Sequence, residues 1–266
     1  MPGTAQICPL VDRLVPSTMG RWLILLGLLT CSVARGDGPA SGGPASGEPP
    51  RRRLLVLDPG HGGSNLGAHG PRIKRHEKAL TLDLARRVVR FLAQWRPDIE
   101  VLLTRERDTY LTLDQRVRKA NGVHAALFVS LHFNASATRS QKGFETFILT
   151  REASEHEAAR LSMRSRQRGG SVVGAILSDL HQSAAHGESA QLARRIQHHL
   201  ARARGADLDR GVRQAPFDVL LGLRMPGVLV EVGFIDHPTE GPELARGAQL
   251  EAVAVALAAA LGEQLP

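Results

Sequence analysis

From Leu54 onward the chain alternates between two hydrophobic patterns. Short apolar runs at Leu54–Leu57, Ala126–Leu131, Gly143–Leu149 and Val228–Val232 are bounded by glycine, proline or polar residues. They read as buried strands, and Glu100–Thr104 reads as a further short one. Between them the apolar spacing lengthens. Leu80, Leu84, Val88 and Leu92 recur near helical period within Glu77–Trp95. Thr112–Asn121 reads as a second helix, with Thr112 and Gln115 spaced for a capping box. Helices are also expected at Ser154–Arg166, Ser189–Arg204 and Glu251–Leu261, with SVVGAILSDLHQS between the first two left unassigned. Strands alternating with helices predict one α/β domain with helices on both faces of its sheet. Nothing suggests a second domain or a long repeat.

The pattern is different before Leu54. Residues 35–53, RGDGPASGGPASGEPPRRR, hold too few apolar side chains to bury and read as a flexible tether. In residues 1–34, Arg21 precedes the apolar run Trp22–Leu29, and Ser32, Val33 and Ala34 supply small residues for a signal peptidase. The run is too short to span a membrane, so cleavage after Ala34 is expected, with no membrane insertion of the mature chain. Met19 opens a more typical leader than Met1. Cys31 raises a lipoprotein reading, but Leu29-Thr30-Cys31 is a poor lipobox. A retained anchor is a third reading. The predicted layout is a signal peptide at 1–34, a linker at 35–53 and a folded domain at 54–266.

Composition narrows the chemistry. With 266 residues, 42% of them hydrophobic, the chain can build one substantial core. Both cysteines, Cys8 and Cys31, lie in the leader, so the mature chain has no disulfide and any metal must be held by His, Asp or Glu. The formal charge is +8. The leader holds Arg13, Arg21 and Asp12, so cleavage leaves +7. That balance suits an anionic partner or a solvated basic surface equally. One tyrosine, little interleaving of basic and aromatic residues and an export signal argue against nucleic acid.

Four polar residues stand at or near element ends: His61 after the first strand, Glu77 at a helix start, His132 at the end of a buried strand, and Glu231 inside VLVEVGF. Ligands of open α/β sheets gather beyond the carboxyl ends of strands, where such residues can converge. Two histidines and a carboxylate make a catalytic zinc site with one position open. A further carboxylate off the metal can move protons. Each residue also has a plain reading. Glu77 suits a helix N-terminus, His132 suits a core, and His69 and His76 are rival ligands. Glu231 is the hardest to dismiss, because an acid buried in an apolar run needs a partner or a role.

The ordered motifs LDPGHGG, Glu77-Lys78, TRERD (Thr104–Asp108), Arg116 before Ala120-Asn121, FVSLHFNA, GFETFIL and VLVEVGFIDHPTE resemble the zinc-dependent N-acetylmuramoyl-L-alanine amidases of the cell-separation type. The resemblance covers roughly Leu54 to the C-terminus. It implies an α/β fold with a mixed, mostly parallel six-stranded sheet. It implies one zinc per chain on His61, Glu77 and His132, with Glu231 as general base. The reaction implied is hydrolysis of the amide between the lactyl group of N-acetylmuramic acid and L-alanine of the peptidoglycan stem. The chain departs from the family pattern at Ala125-Ala126, Phe133 and Asp236-His237. None of these is a proposed ligand.

Arg105, Asp108 and Arg116 read mainly as structural, with Arg105 also a candidate substrate contact. Asn134 is expected either to orient His132 or to touch substrate. Some family members cover the metal with an inserted helix. Here Glu152, Glu155 and Glu157 read as solvated acids, and an open site is expected. The expected partner is peptidoglycan, met by a monomer exported to the periplasm, with an extracellular or wall-associated place as the alternative and any protein activator unnamed. The rival functions are another zinc peptidase of cell-wall peptides and a non-catalytic wall-binding protein.

Overall fold

Leu54, Leu55, Val56 and Leu57 are all buried, on both faces, which is why this run does not alternate with polar residues. In the computed structural model, which describes residues 53–150, 152 and 172–265, they form β1 (Leu54–Pro59), inside a six-stranded sheet. A two-residue hairpin, β2 (His69–Gly70) with β3 (Arg75–His76), leads into α1 (Glu77–Trp95). Next come β4 (Glu100–Leu103), α2 (Leu113–Gly122), β5 (Leu127–Asn134) and β6 (Phe144–Ile148). The chain then runs through α3 (Val172–Arg204), β7 (Asp209–Gln214), β8 (Gly227–Phe234), α4 (Glu240–Leu244) and α5 (Gly247–Gln264).

The strand order is β4-β1-β5-β8-β6-β7. β4, β1, β5 and β8 are mutually parallel. β6 runs antiparallel to β8 and carries β7 parallel beside it. The sheet is therefore mixed and mostly parallel, and the α/β class holds.

Helices lie on both faces, unequally. Leu80, Leu84, Val88 and Leu92 of α1 pack with residues of α3 and α5 against Leu55, Leu57, Val129, Leu131, Val228 and Val230. Among the described residues the opposite face carries α2 and the 215–226 segment, where Val56, Phe128 and Leu229 meet Ala120, Val219, Leu220 and Met225. Both capping-box bonds of α2 are formed: the Thr112 N–H donates to Gln115 Oε1 at 2.8 Å and the Gln115 N–H to Thr112 Oγ1 at 3.2 Å. The thinly covered face holds the cleft described below.

Several elements were not predicted. β7, DRGVRQ, has no apolar alternation and is a strand because it lies along β6 at the sheet edge. The β2–β3 hairpin and α4 are too short to carry a period. α3 is one helix from Val172 to Arg204, joining the unassigned SVVGAILSDLHQS stretch to the predicted helix after it. β5 runs on through His132 to Asn134. The predicted leader, the tether up to residue 52 and the helix at Ser154–Arg166 lie outside the described residues, as do Glu155 and Glu157. Glu152 is exposed. Among the described residues no helix is long and apolar enough to cross a membrane.

Candidate metal centre

β1 and β5 are adjacent and parallel, so the residues beyond their carboxyl ends come together. Past Pro59 the backbone turns sharply. His61 sits at φ 62°, the left-handed region that a non-glycine residue enters only at some cost. Buried side chains hold it there. Arg116 donates to the carbonyls of Pro59 at 2.9 Å and His61 at 2.6 Å, and pairs with Asp58 at 2.6 Å. Asp58 also accepts from Thr104 and, at 2.8 Å, from Ser130. Arg105 donates to the carbonyls of Pro59, Gly60 and Lys78. Lys78 bonds the Gly63 carbonyl at 2.8 Å and Asp108 at 2.7 Å, and Asp108 accepts the Gly63 N–H at 2.7 Å. The TRERD segment, Lys78 and Arg116 thus form one scaffold behind the turn. Among the described residues Arg105 bonds the turn carbonyls of Pro59 and Gly60 and, beside them, Lys78, Thr81 and Arg107.

The scaffold aims His61 at Glu77, the first residue of α1, with Nε2 and Oε2 2.9 Å apart. His132, from the end of β5, places Nδ1 2.9 Å from Glu77 Oε1. Potential ligand atoms of the three residues all lie within 4.8 Å of one another, a set that could hold a metal ion. A tetrahedral ion with bonds of about 2.0–2.1 Å asks for ligand atoms roughly 3.3 Å apart, so small movements suffice. Asn65 fixes the tautomer of His61. Its Oδ1 accepts the Gly67 N–H at 3.3 Å, so the 2.9 Å contact with His61 Nδ1 is donated by the ring, leaving the Nε2 lone pair for a metal.

Glu77 is buried and accepts further backbone N–H groups, from Ala68 at 2.9 Å and Phe133 at 3.0 Å. Burial opposes its charge, but hydrogen bonds from His132 and His61 outweigh that and hold the carboxyl well below its usual range. For His61 the balance also falls toward charge: burial lowers its proton affinity, the contact with Glu77 raises it, and the net shift is upward.

Glycine has a specific task at Gly60. A Cβ there would lie 2.3 Å from Cε1 of the His132 ring. At Gly67 it would meet Glu77 Oε2 at 2.6 Å and His61 Cδ2 at 2.7 Å. The glycines leave room for the ligands themselves.

Glu231 stands on β8, opposite His132 in the parallel register. Its Oε2 is sealed from solvent with no hydrogen-bond partner among the described residues. Burial pushes the carboxyl well above its usual range, and the charges of Glu77 and Glu145 add to this. Both histidines, Glu77 and Glu231 line a cleft of about 500 Å³, walled on another side by Tyr110, Leu111, Leu113, Phe217 and Val219.

The other sequence candidates fall elsewhere. His69 and His76 face each other across the β2–β3 hairpin, ring centroids 4.9 Å apart, and neither joins the cluster. Asn134 lines the cleft, but its amide donates to Glu145 at 2.9 Å rather than to His132. Asp236 accepts the Ser136 N–H at 2.9 Å and His237 Nδ1 accepts the Glu240 N–H at 3.2 Å, so both hold the turn after β8. Sequence reasoning missed Asn65, whose only signal is its place four residues after His61, and Glu145, the acid in GFETFIL.

The profile of the family described as Amidase_3, N-acetylmuramoyl-L-alanine amidase, matches residues 55–263. The chain is 32% identical over 219 residues to the N-acetylmuramoyl-L-alanine amidase AmiC of Escherichia coli, covering 77% of this chain and 52% of that protein. It is 31% identical over 218 residues to the amidase AmiA of Salmonella typhimurium, covering 78% and 74%. The chain spans about half the length of the AmiC relatives it matches, 52% and 49%. Among solved structures, the catalytic domain of the amidase CwlV from Bacillus (Paenibacillus) polymyxa aligns with a TM-score of 0.61 at 31% identity, covering 79% of this chain and 96% of that one.

Proposed function

Because the chain belongs to the N-acetylmuramoyl-L-alanine amidase family, we propose that it hydrolyses the amide between the lactyl group of N-acetylmuramic acid and L-alanine of the peptidoglycan stem. The observation that carries this reading is the cluster of His61, Glu77 and His132 in one cleft with Glu231, whose Oε2 has no partner among the described residues. Two imidazoles and a carboxylate are the donor set of a catalytic zinc, and we assign one zinc per chain to them. Zinc there supplies Lewis acidity, polarising a carbonyl and lowering the pKa of water.

The remaining work falls to the chain's own groups. Glu231 takes a proton from the attacking water and delivers it to the leaving nitrogen of L-alanine as the lactyl carbon–nitrogen bond breaks. Its burial raises its proton affinity, which suits a group that must hold that proton between the two transfers. Asn65 keeps His61 in the ligating tautomer. Leu111, Leu113 and Phe217 add an apolar lining to the cleft. The protein acts as an exported monomer, and its basic surface draws it to the stem carboxylates.

The test is digestion of purified peptidoglycan followed by identification of the new ends. Stem peptides with a free L-alanine amine and intact muramic acid are expected. Cuts between stem amino acids would instead make the protein a peptidase.

A further inference from the structure

Glu231 does not stand alone on its face of the sheet. Across the antiparallel junction of β6 and β8 its register partner is Glu145. Directly opposed residues of such a pair project to the same face with Cβ atoms about 5 Å apart, and like charges there repel. The two carboxylates are treated very differently. Glu145 is buried and fully engaged: Oε1 accepts from Asn134 at 2.9 Å, and Oε2 from Arg210 at 3.1 Å and Arg213 at 2.6 Å. Glu231 Oε2 has no hydrogen-bond partner among the described residues.

The two arginines also differ. The Arg210 guanidinium lies over the Phe234 ring, 5.1 Å from its centroid, and donates to Gln141 at 3.0 Å. Arg213 is half exposed, and its ion pair is with Glu145. It pairs in register with Phe147, two residues along β6 from Glu145, so it projects on the same face as both acids. Glu231 lies one strand beyond Glu145 on that face, as its register partner.

We infer that Glu145 is a positioning residue that holds the β7 arginines, Arg213 above all, away from Glu231 and so keeps the general base unpaired. An arginine on Glu231 would occupy the carboxylate that must accept the proton from water. Glu145 prevents this by offering a buried carboxylate already braced by Asn134. The inference rests on the proposed amidase reaction and on Glu231 as its base.

The test compares wild type, Glu145→Gln, Arg213→Gln and Glu145→Gln/Arg213→Gln, each loaded with zinc, by kcat and KM for stem-peptide release from peptidoglycan. Glutamine keeps the volume of Glu145 and an acceptor for Asn134 while weakening the hold on Arg213. Glu145→Gln should lower kcat about tenfold or more with KM nearly unchanged, equivalent to about 1.4 kcal/mol of pairing between Arg213 and Glu231. Removing Arg213 as well should restore kcat to within about threefold of wild type, a rescue that a structural role would not give. Full activity of Glu145→Gln overturns the inference, and so does a folded double variant as slow as Glu145→Gln. A double variant that does not fold overturns it too, because Glu145 would then serve the fold rather than the arginine. If Glu145→Gln alone fails to fold, the double variant's kcat decides. A wild type that releases no stem peptides fails the amidase reading itself, which separates the two failures.

Discussion

Replacing Gly60 with alanine puts a methyl group where His132 already is. The added Cβ would lie 2.3 Å from Cε1 and 2.4 Å from Nε2 of that ring, against 3.4 Å or more for ordinary contact. Something must therefore move by about 1 Å, several times the roughly 0.2 Å latitude of a zinc–ligand bond. Neither side yields easily. The ring is fixed through Nδ1 to Glu77 at 2.9 Å. The Gly60 backbone is tied by its N–H to the Leu131 carbonyl at 3.0 Å, and its own carbonyl accepts from Arg105 at 2.7 Å and Thr81 at 2.9 Å. Loss of a residue that merely supports a ligand costs about 10- to 100-fold in metal affinity, so displacing a ligand should cost about 100-fold or more. Competition for zinc against a chromophoric chelator reads this directly. Gly122→Ala is the control: nothing lies within 4 Å of its Cβ position at the end of α2, and zinc affinity should be unchanged, with stability equal to wild type or up to about 1 kcal/mol higher. A Gly60→Ala protein that binds zinc as tightly as wild type would refute the claim that His132 is a ligand held against that glycine.

Further outcomes follow from the scaffold and the base. Arg116→Met leaves Asp58 buried without its cation and should cost about 3–5 kcal/mol in urea unfolding, with part of the loss recovered in Asp58→Asn/Arg116→Met; an equal loss in both variants would contradict the pairing argument. Glu231→Gln should stabilise the zinc-free protein at neutral pH. The folded state raises this carboxyl above its ordinary value of 4.5, so wild type loses stability as pH climbs from 4.5 toward the folded value, and the glutamine variant does not. The gap between the two melting temperatures should be small at pH 4 and wide at pH 8; a gap that narrows with rising pH would reverse the sign and sink the reasoning. Asn65→Ala frees the tautomer of His61 and should weaken zinc binding about 10- to 100-fold, read by the same chelator competition.

Much of the fold was legible because its central strands are buried on both faces. Leu54–Leu57 shows this as an unbroken apolar run, Val228–Val232 as one interrupted by Glu231, and α1 as the spacing of Leu80, Leu84, Val88 and Leu92. β7 was illegible because Arg210, Arg213 and Gln214 carry no burial pattern; pairing with the neighbouring strand β6 holds it in the sheet. The cluster of His61, Glu77 and His132 could be anticipated because each stands at an element end with a local signal: a glycine turn, a helix start, a strand stop. The task of the glycines was not legible: at Gly60 and Gly67 the space a side chain would fill is taken by His132, Glu77 and His61. Glu145 and Asn65 stayed hidden because their significance lies in contacts across strands or within a turn, which no periodicity records. In contrast, TRERD and Arg116 were visible as motifs but not as one object; only the fold shows Arg105, Asp108, Lys78 and Arg116 gripping the same turn.

The central claim is that His61, Glu77 and His132 hold a catalytic zinc and that Glu231 serves it without binding it. The most direct measurement takes residues 35–266 as wild type and as Glu231→Gln, and determines zinc content and stem-peptide release from peptidoglycan side by side. The account predicts about one zinc in both proteins, with release of peptides beginning at L-alanine by the wild type alone. A Glu231→Gln protein that cleaves at the wild-type rate, or a folded wild type that takes up no zinc, would contradict it.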